Sequence, residues 1–392
     1  MKSTSGTLKG GPGEKGKGET KNRDTKNPKK EGIEKDNDLS APEENKTFNT
    51  MPQKVFLRMP MEIRKVQVTG GSSFVVTLPK EWVKSLNIHK NDPVGLIAQP
   101  DGTLLVTPKT GETVHRTKEF QVDTIKDSTY LFRLLVGAYI MGYSSITLKS
   151  EERLPPFVME VVTTFTQTAI GPEIIEETMD SITIKDLLNP SEMPFEKTVR
   201  RMYIILKKMH EDAIDALKTR NKKMAADVIN RDNSINRLQW LVARQSNVVL
   251  RDIILAKKME VTQEVATYYF LVSRIMERIG DHAARIAENV LFLIDQQVDE
   301  SIIDPMAKAS ELSQRIFSNS MKAWTKKDIR TANQSIEEID ELVLLCEEIN
   351  NSALNIKGKS SIPVSYIAES IKRIGEYATD IAELVINRLV SE

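Results

Sequence analysis

The run Arg278-Ile279-Gly280-Asp281-His282-Ala283-Ala284-Arg285-Ile286-Ala287-Glu288 returns near the C-terminus as Arg373-Ile374-Gly375-Glu376-Tyr377-Ala378-Thr379-Asp380-Ile381-Ala382-Glu383. A weaker echo pairs Ser234-Ile235-Asn236-Arg237-Leu238 with Glu338-Ile339-Asp340-Glu341-Leu342. Two echoes in the same order mean that the C-terminal half is built from two three-helix units in tandem. Long helices are expected near 193–219, 221–256, 260–298, 302–324, 327–355 and 362–391, with breaks at Lys326-Lys327 and Lys357-Gly358-Lys359. A helix of ~30 residues spans about 45 Å, so residues 192–392 read as an antiparallel six-helix bundle. Gly280, Ala283, Ala284 and Ala287 permit close helix approach, and Trp82, Trp240 and Trp324 fit apolar helical patterns as core residues.

Outward from the bundle the pattern changes twice. Residues 116–188 alternate strand and helix, and define a small α/β module: strands at 119–122 and 145–148, helices at 128–141 and 156–170, then strands at 173–179 and 181–187. Gly142 and Gly171 read as helix stops. Residues 55–110 hold short strands instead. Ile63, Val66 and Val68 lead into a Gly70-Gly71-Ser72-Ser73 turn and a second strand, Phe74 to Leu78. Pro79 opens a short helix through Trp82, Val83 and Leu86. Strands at 94–98 and 104–107 follow, with a turn at Asp101-Gly102 between them. Four short strands and one helical turn bury too little to fold alone, so a homodimer is expected. Residues 1–52, rich in Gly, Lys, Glu, Asn, Asp and Pro, read as a disordered tail.

Composition narrows the function classes. The 392 residues hold 55 Lys and Arg against 55 Asp and Glu, so any nucleic-acid surface must be local. A single cysteine, Cys346, excludes an internal disulfide and a Cys-based zinc cluster and fits a cytoplasmic setting. The longest apolar run, Tyr130 to Tyr143, is too short to span a bilayer and carries Arg133, so no membrane insertion is expected.

The hairpin region places Arg64 and Lys65 on its first strand and Lys80 and Lys84 on the short helix. The Gly-Gly-Ser-Ser turn offers N–H groups and hydroxyls suited to phosphate oxygens. Solvated charges on a small β-domain would look the same. Thr77-Leu78-Pro79-Lys80-Glu81-Trp82 and Leu86-Asn87-Ile88-His89-Lys90-Asn91-Asp92-Pro93-Val94, behind the strand from Val66 to Val76, resemble the AbrB/SpoVT family of swapped-hairpin DNA-binding domains. The resemblance covers about fifty residues. It implies a dimer of interleaved hairpins, with Arg64, Lys65, Lys80 and Lys84 on or near the surface facing double-stranded DNA and Ser72 and Ser73 as turn contacts. Many members carry Gly-Arg at the turn where this chain has Gly-Gly-Ser-Ser, so no turn arginine is carried over.

In the bundle, Glu277 and Asp281 stand one helical turn apart, as do Asp232 and Asn236 on the preceding helix. Antiparallel packing would gather four oxygen-bearing side chains, hard ligands for a divalent or ferric ion. Arg274, Arg278 and Arg285 are alternative partners for the acids, and His282 fits a packed or surface histidine as well as a ligand. The Arg-Ile-Gly-Asp-His run within a doubled three-helix unit is similar to PhoU, a phosphate-signalling family whose members carry paired acidic motifs that bind metal clusters. That resemblance covers about two hundred residues and implies one metal site, at Asp232, Asn236, Glu277 and Asp281. The second repeat departs from the pattern, with Lys372 in place of Glu277, Glu376 in place of Asp281 and Ile336 one turn before Asp340.

Together these imply a multidomain protein: a swapped-hairpin β domain, an α/β middle module and an all-α PhoU-like bundle of two three-helix repeats. The leading expectation is an archaeal-type transcriptional regulator of phosphate uptake or homeostasis, the bundle sensing or relaying the signal. The alternative is an adaptor that docks on a phosphate transporter or phosphate-signalling protein, the hairpin serving only for dimerisation. An enzyme ranks last, since no nucleophile, Gly-rich phosphate cradle or His-rich site accompanies the acids.

Overall fold

The computed structural model describes residues 61–99, 101–108, 115–296, 300–356 and 358–391. The expected tail, 1–52, lies outside them. The chain divides into two compact units, Met1–Thr110 and Gly111–Glu392.

The first unit holds two separate hairpins. In one, β1 (Gln67–Thr69) pairs antiparallel with β2 (Ser73–Val75), Val68 facing Phe74. Gly70 and Gly71 turn the chain at φ 63° and 82°, left-handed angles that cost glycine little. The first strand begins later than expected from Ile63, and Pro79 precedes α1 (Lys80–Ser85) rather than opening it. The other hairpin joins β3 (Gly95–Ala98) to β4 (Leu104–Thr107). No described residue of this unit is fully buried, Trp82 included.

The second unit contains the α/β module and the bundle. Strands β5 (Thr117–Gln121), β6 (Ser145–Lys149), β7 (Pro172–Glu177) and β8 (Ser181–Asp186) form one sheet in the order β5-β6-β8-β7. Only β5 and β6 run parallel, joined by α2 (Ser128–Ile140); α3 (Pro156–Thr168) leads from β6 to β7. Alternation puts Ile146, Leu148, Ile182 and Ile184 in a core with Leu131, Leu135, Val158 and Phe165.

The bundle follows as α4 (Phe195–Thr219), α5 (Lys222–Val249), α6 (Ile253–Lys258), α7 (Gln263–Ile294), α8 (Glu300–Lys326), α9 (Ile329–Glu337), α10 (Ile339–Ala353) and α11 (Ser361–Ser391). Two of the six expected helices are broken. The helix expected over 221–256 stops at Val249 because Asp252 Oδ1 accepts from the N–H groups of Ile254 and Leu255, both at 3.0 Å, and starts α6 afresh. The helix expected over 327–355 is interrupted at Glu338. The break near 326 is as expected: Lys327 takes a φ of 54° and Asp328 caps α9. Trp324 is core, whereas Trp240 is only half-buried and lies against Phe132 of α2, ring centroids 6.2 Å apart.

Trp240 belongs to a stripe of α5 that carries the module. Arg244 Nη2 meets Asp186 Oδ2 at 2.6 Å, and both side chains are 8% exposed. Arg244 Nη1 donates to the carbonyls of Tyr139 (2.6 Å) and Tyr143 (2.9 Å) at the end of α2. Gly142, at φ 81°, lets the chain turn there, and a Cβ on it would stand 2.6 Å from Val248 Cγ2 of α5. Cutting one partner from a buried pair leaves an uncompensated charge, at a cost of about 3–5 kcal/mol. Arg244→Ala and Asp186→Ala are each expected to lower stability by roughly that amount, and the double variant by less than the sum. Denaturant unfolding followed through Trp240 fluorescence checks both; additive losses would refute the coupling.

Candidate functional site

Two sites were expected, one in each unit. In the hairpin unit Val68 and Phe74 face each other, so alternation puts Val66, Val68, Phe74 and Val76 on one face. Their exposures are 62%, 61%, 78% and 52%. An apolar face this open marks an interaction surface. Lys65, Ser72, Ser73, Lys80 and Lys84 are all exposed; Ser72 lies in the turn and Ser73 pairs with Thr69. Lys80 and Lys84 share a face of α1, one turn apart. Arg64 precedes β1 and is ion-paired with Glu62, so its charge is partly engaged within the chain.

In the bundle α5 and α7 pack together and bring Asp232 beside Gly280. A Cβ at 280 would lie 3.2 Å from Asp232 Oδ1 and 3.2 Å from Leu206 Cδ2, so any side chain there would crowd these groups and make them give way. Asn236 Nδ2 donates to Asp232 Oδ2 at 2.9 Å, while Asp232 Oδ1 is buried with no partner. Burial foremost, with Asp281, Glu277 and Glu288, pushes the Asp232 carboxyl up to about 6 against the Asn236 hydrogen bond. Burial also raises Glu277 and Asp281, opposed by arginines: Arg274, 3.5 Å from Glu277, for the first and Arg285 foremost for the second. The four expected ligands therefore share one neighbourhood. Glu288 joins the acids although the sequence reading passed over it; its place two turns beyond Asp281 was the available signal. Among the described residues, no three His, Cys, Asp or Glu side chains are gathered tightly enough to hold an ion as they stand. The orphaned Asp232 oxygen and the hard oxygen donors around it are of the chemical type that suits a divalent or ferric ion.

The second repeat is filled instead. A Cβ at Gly375 would run into Leu342, with Ile339 Cδ1 3.2 Å away, where the first repeat has Asp232. Its acids have cations of their own: Lys372 meets Glu369 at 2.7 Å, and Arg373 meets Glu369 and Glu376 at 3.0 and 2.9 Å. His282 lies against Tyr377 of α11, ring centroids 5.7 Å apart. Burial, with Arg285 and Arg373, pushes it down to about 4, so it is a neutral packing residue at neutral pH. Arg278 stacks over Tyr377 rather than pairing with the acids of its own helix.

These features define a class: a doubled three-helix bundle with neighbouring acids in one repeat, preceded in the chain by an α/β module and a hairpin unit. The comparisons give it a family resemblance. Residues 199–290 and 306–385 match the PhoU domain, one match in each three-helix unit. Residues 67–113 match the model described as antidote-toxin recognition MazE, bacterial antitoxin, so a MazE-like stretch is followed in the chain by two PhoU-like ones. The phosphate-specific transport system accessory protein PhoU homolog 1 of Thermotoga maritima is 23% identical over 197 residues, covering 48% of this chain and 82% of that protein. The PhoU homolog of Zymomonas mobilis is 27% identical over 191 residues, covering 44% and 73%. The crystal structure of PhoU from Pseudomonas aeruginosa, 19% identical, covers 50% of this chain and 95% of its own at a TM-score of 0.46.

The raised Asp232 carboxyl sets a direction for stability in the absence of a cation. The folded state keeps this proton above the pH where the unfolded chain loses it. Its stabilising contribution is therefore full below pH ~4 and is lost as pH rises toward ~6. With chelator present, Asp232→Asn is expected to be more stable than the parent at pH 7 by about 1–2 kcal/mol, after discounting the exposed half of the group for screening. The advantage should vanish at pH 4. Urea unfolding across that range checks it, and a pH-independent difference would refute it.

Proposed function

We propose that this chain is a homodimeric, DNA-binding transcriptional regulator of phosphate uptake or phosphate homeostasis, with its PhoU-like bundle as the sensory or relay part. The observation that carries the reading is the hairpin unit. Its apolar face, Val66, Val68, Phe74 and Val76, is left exposed among the described residues, and a second copy interleaving its hairpins would cover it. The dimer would double Lys65, Lys80 and Lys84 into one basic surface with local charge enough for phosphates in a chain that is neutral overall. Arg64, released from Glu62, or the Ser72-Ser73 turn would read bases. Among the described residues no helix is long and apolar enough to cross a membrane. A second reading has its own support: the relatives are named as accessory proteins of a phosphate-specific transport system. On that reading the chain is an adaptor docking on a transporter or signalling protein, the hairpin only dimerising it.

Salt dependence separates the two. If the lysines neutralise phosphates, each contact adds about 0.9 to the slope of log affinity against log salt. Lys80→Ala with Lys84→Ala is expected to flatten that slope and leave the dimer mass unchanged in light scattering. Absence of DNA binding at low salt by a verified dimer would favour the adaptor.

The neighbouring acids of the first repeat are proposed as the place of a single divalent or ferric ion, held by Asp232, Asn236, Glu277 and Asp281, with Glu288 at its margin. The ion would supply the positive charge these acids lack and could carry a phosphate signal by direct coordination. Glu277→Ala with Asp281→Ala should empty purified protein of metal, read by elemental analysis, while Glu376→Ala should not. Equal loss from both, or a metal-free parent, would sink the asymmetric site.

A further inference from the structure

Where α2 ends, two guanidinium groups meet on one atom. Arg116 Nη1 and Arg251 Nη1 each donate to the carbonyl oxygen of Met141, both at 2.8 Å. Arg116 belongs to the segment through which the chain enters the second unit, and Arg251 to the turn after α5, so docking of the module on the bundle brings them together. Arg116 is also held over the Tyr143 ring, 4.2 Å from its centroid. Arg251 is exposed and Arg116 half-buried, which leaves their remaining N–H donors open to solvent.

Among the described residues neither arginine takes part in an ion pair, and the nearby acids are engaged elsewhere. Asp186 is bound to Arg244 at 2.6 Å, and Asp252, next to Arg251 in the chain, turns Oδ1 to the N–H groups of Ile254 and Leu255. Capping a helix end explains part of the arrangement, since arginines suit terminal carbonyls. The helix end, however, offers only about half a negative charge, against two full positive ones.

We propose that Arg116 and Arg251 form an oxyanion site whose ligand is a phosphate group. Each guanidinium spends one nitrogen on Met141 and keeps a planar set of donors that matches phosphate oxygens. With both groups anchored on one oxygen, a single tetrahedral anion spans them, and the side-chain ordering is already done by the carbonyl and the Tyr143 ring. The site lies wholly within the second unit and does not rest on DNA binding by the hairpin. The phosphate can come from free inorganic phosphate or from a nucleic-acid backbone.

The test uses the full-length chain with EDTA present, so that no metal-held phosphate contributes. Inorganic phosphate titrated in a calorimeter at pH 7.5 should bind saturably, and Arg251→Gln should weaken it about tenfold or more. Gln keeps a donor for Met141, and circular dichroism confirms the fold. Lys80→Ala with Lys84→Ala should leave phosphate binding unchanged. Where free phosphate does not bind but Arg251→Gln lowers the DNA salt slope by about 0.9, the backbone is the source and the site stands. Absence of both effects, or phosphate binding indifferent to Arg251→Gln, overturns it and leaves the arginines as helix caps. A chain that binds no DNA at all refutes the regulatory reading, and the phosphate titration alone then decides this site.

Discussion

Asp186 and Arg244 are both nearly shut off from water, and either one alone would be a stranded charge at the seam between sheet and helices. Their pairing is what allows a polar strand end to be buried against α5. It also fixes the level at which α2 stops, because the same guanidinium holds the carbonyls of Tyr139 and Tyr143. Gly142 next to those carbonyls and Val248 opposite them follow from that level. The module is therefore locked in register to α5, the helix that also carries Asp232 and Asn236. A buried pair of this kind adds little net stability over an apolar contact, but it tolerates no sliding.

The two three-helix repeats share a scaffold and divide its chemistry. Gly280 and Gly375 let neighbouring helices close in on the same pattern. At the first glycine the partner helix presents a carboxylate, and at the second a leucine. Around Gly375, Lys372 and Arg373 neutralise Glu369 and Glu376 within one helix. Around Gly280 the acids are raised by burial and by one another, with Arg274 giving Glu277 a loose partner at 3.5 Å. In the second repeat two of the acids are paired within their own helix, and in the first Asp232 keeps a buried oxygen without a partner.

Much of this was legible in the sequence because period and repeat are local signals. The doubled Arg-Ile-Gly run gave the tandem bundle, and alternation gave the strands of the module within a few residues. Spacing by one helical turn gathered Glu277 with Asp281 and Asp232 with Asn236. What escaped was set by tertiary packing or by single side chains. Nothing periodic distinguishes Asp252 as a cap that cuts a helix, and Arg244 reads as one more charge on a long helix until Asp186 is placed beside it. Trp240 looked like core because its neighbours are apolar, yet it serves a seam between two layers. Arg116 and Arg251 lie far apart in the chain, so no spacing rule could join them.

The uncovered face of the hairpin unit has a consequence for abundance. On the proposed homodimer, the hairpin unit, none of whose described residues is buried, gains its core when two chains meet, so its folding equilibrium contains the protein concentration. At low copy number the folded fraction rises with the amount of chain, and the number of folded pairs climbs as the square of it. The bundle has a core of its own and is exempt. On that proposal the bundle is present in proportion to synthesis, while the smaller hairpin unit gauges how much has been made.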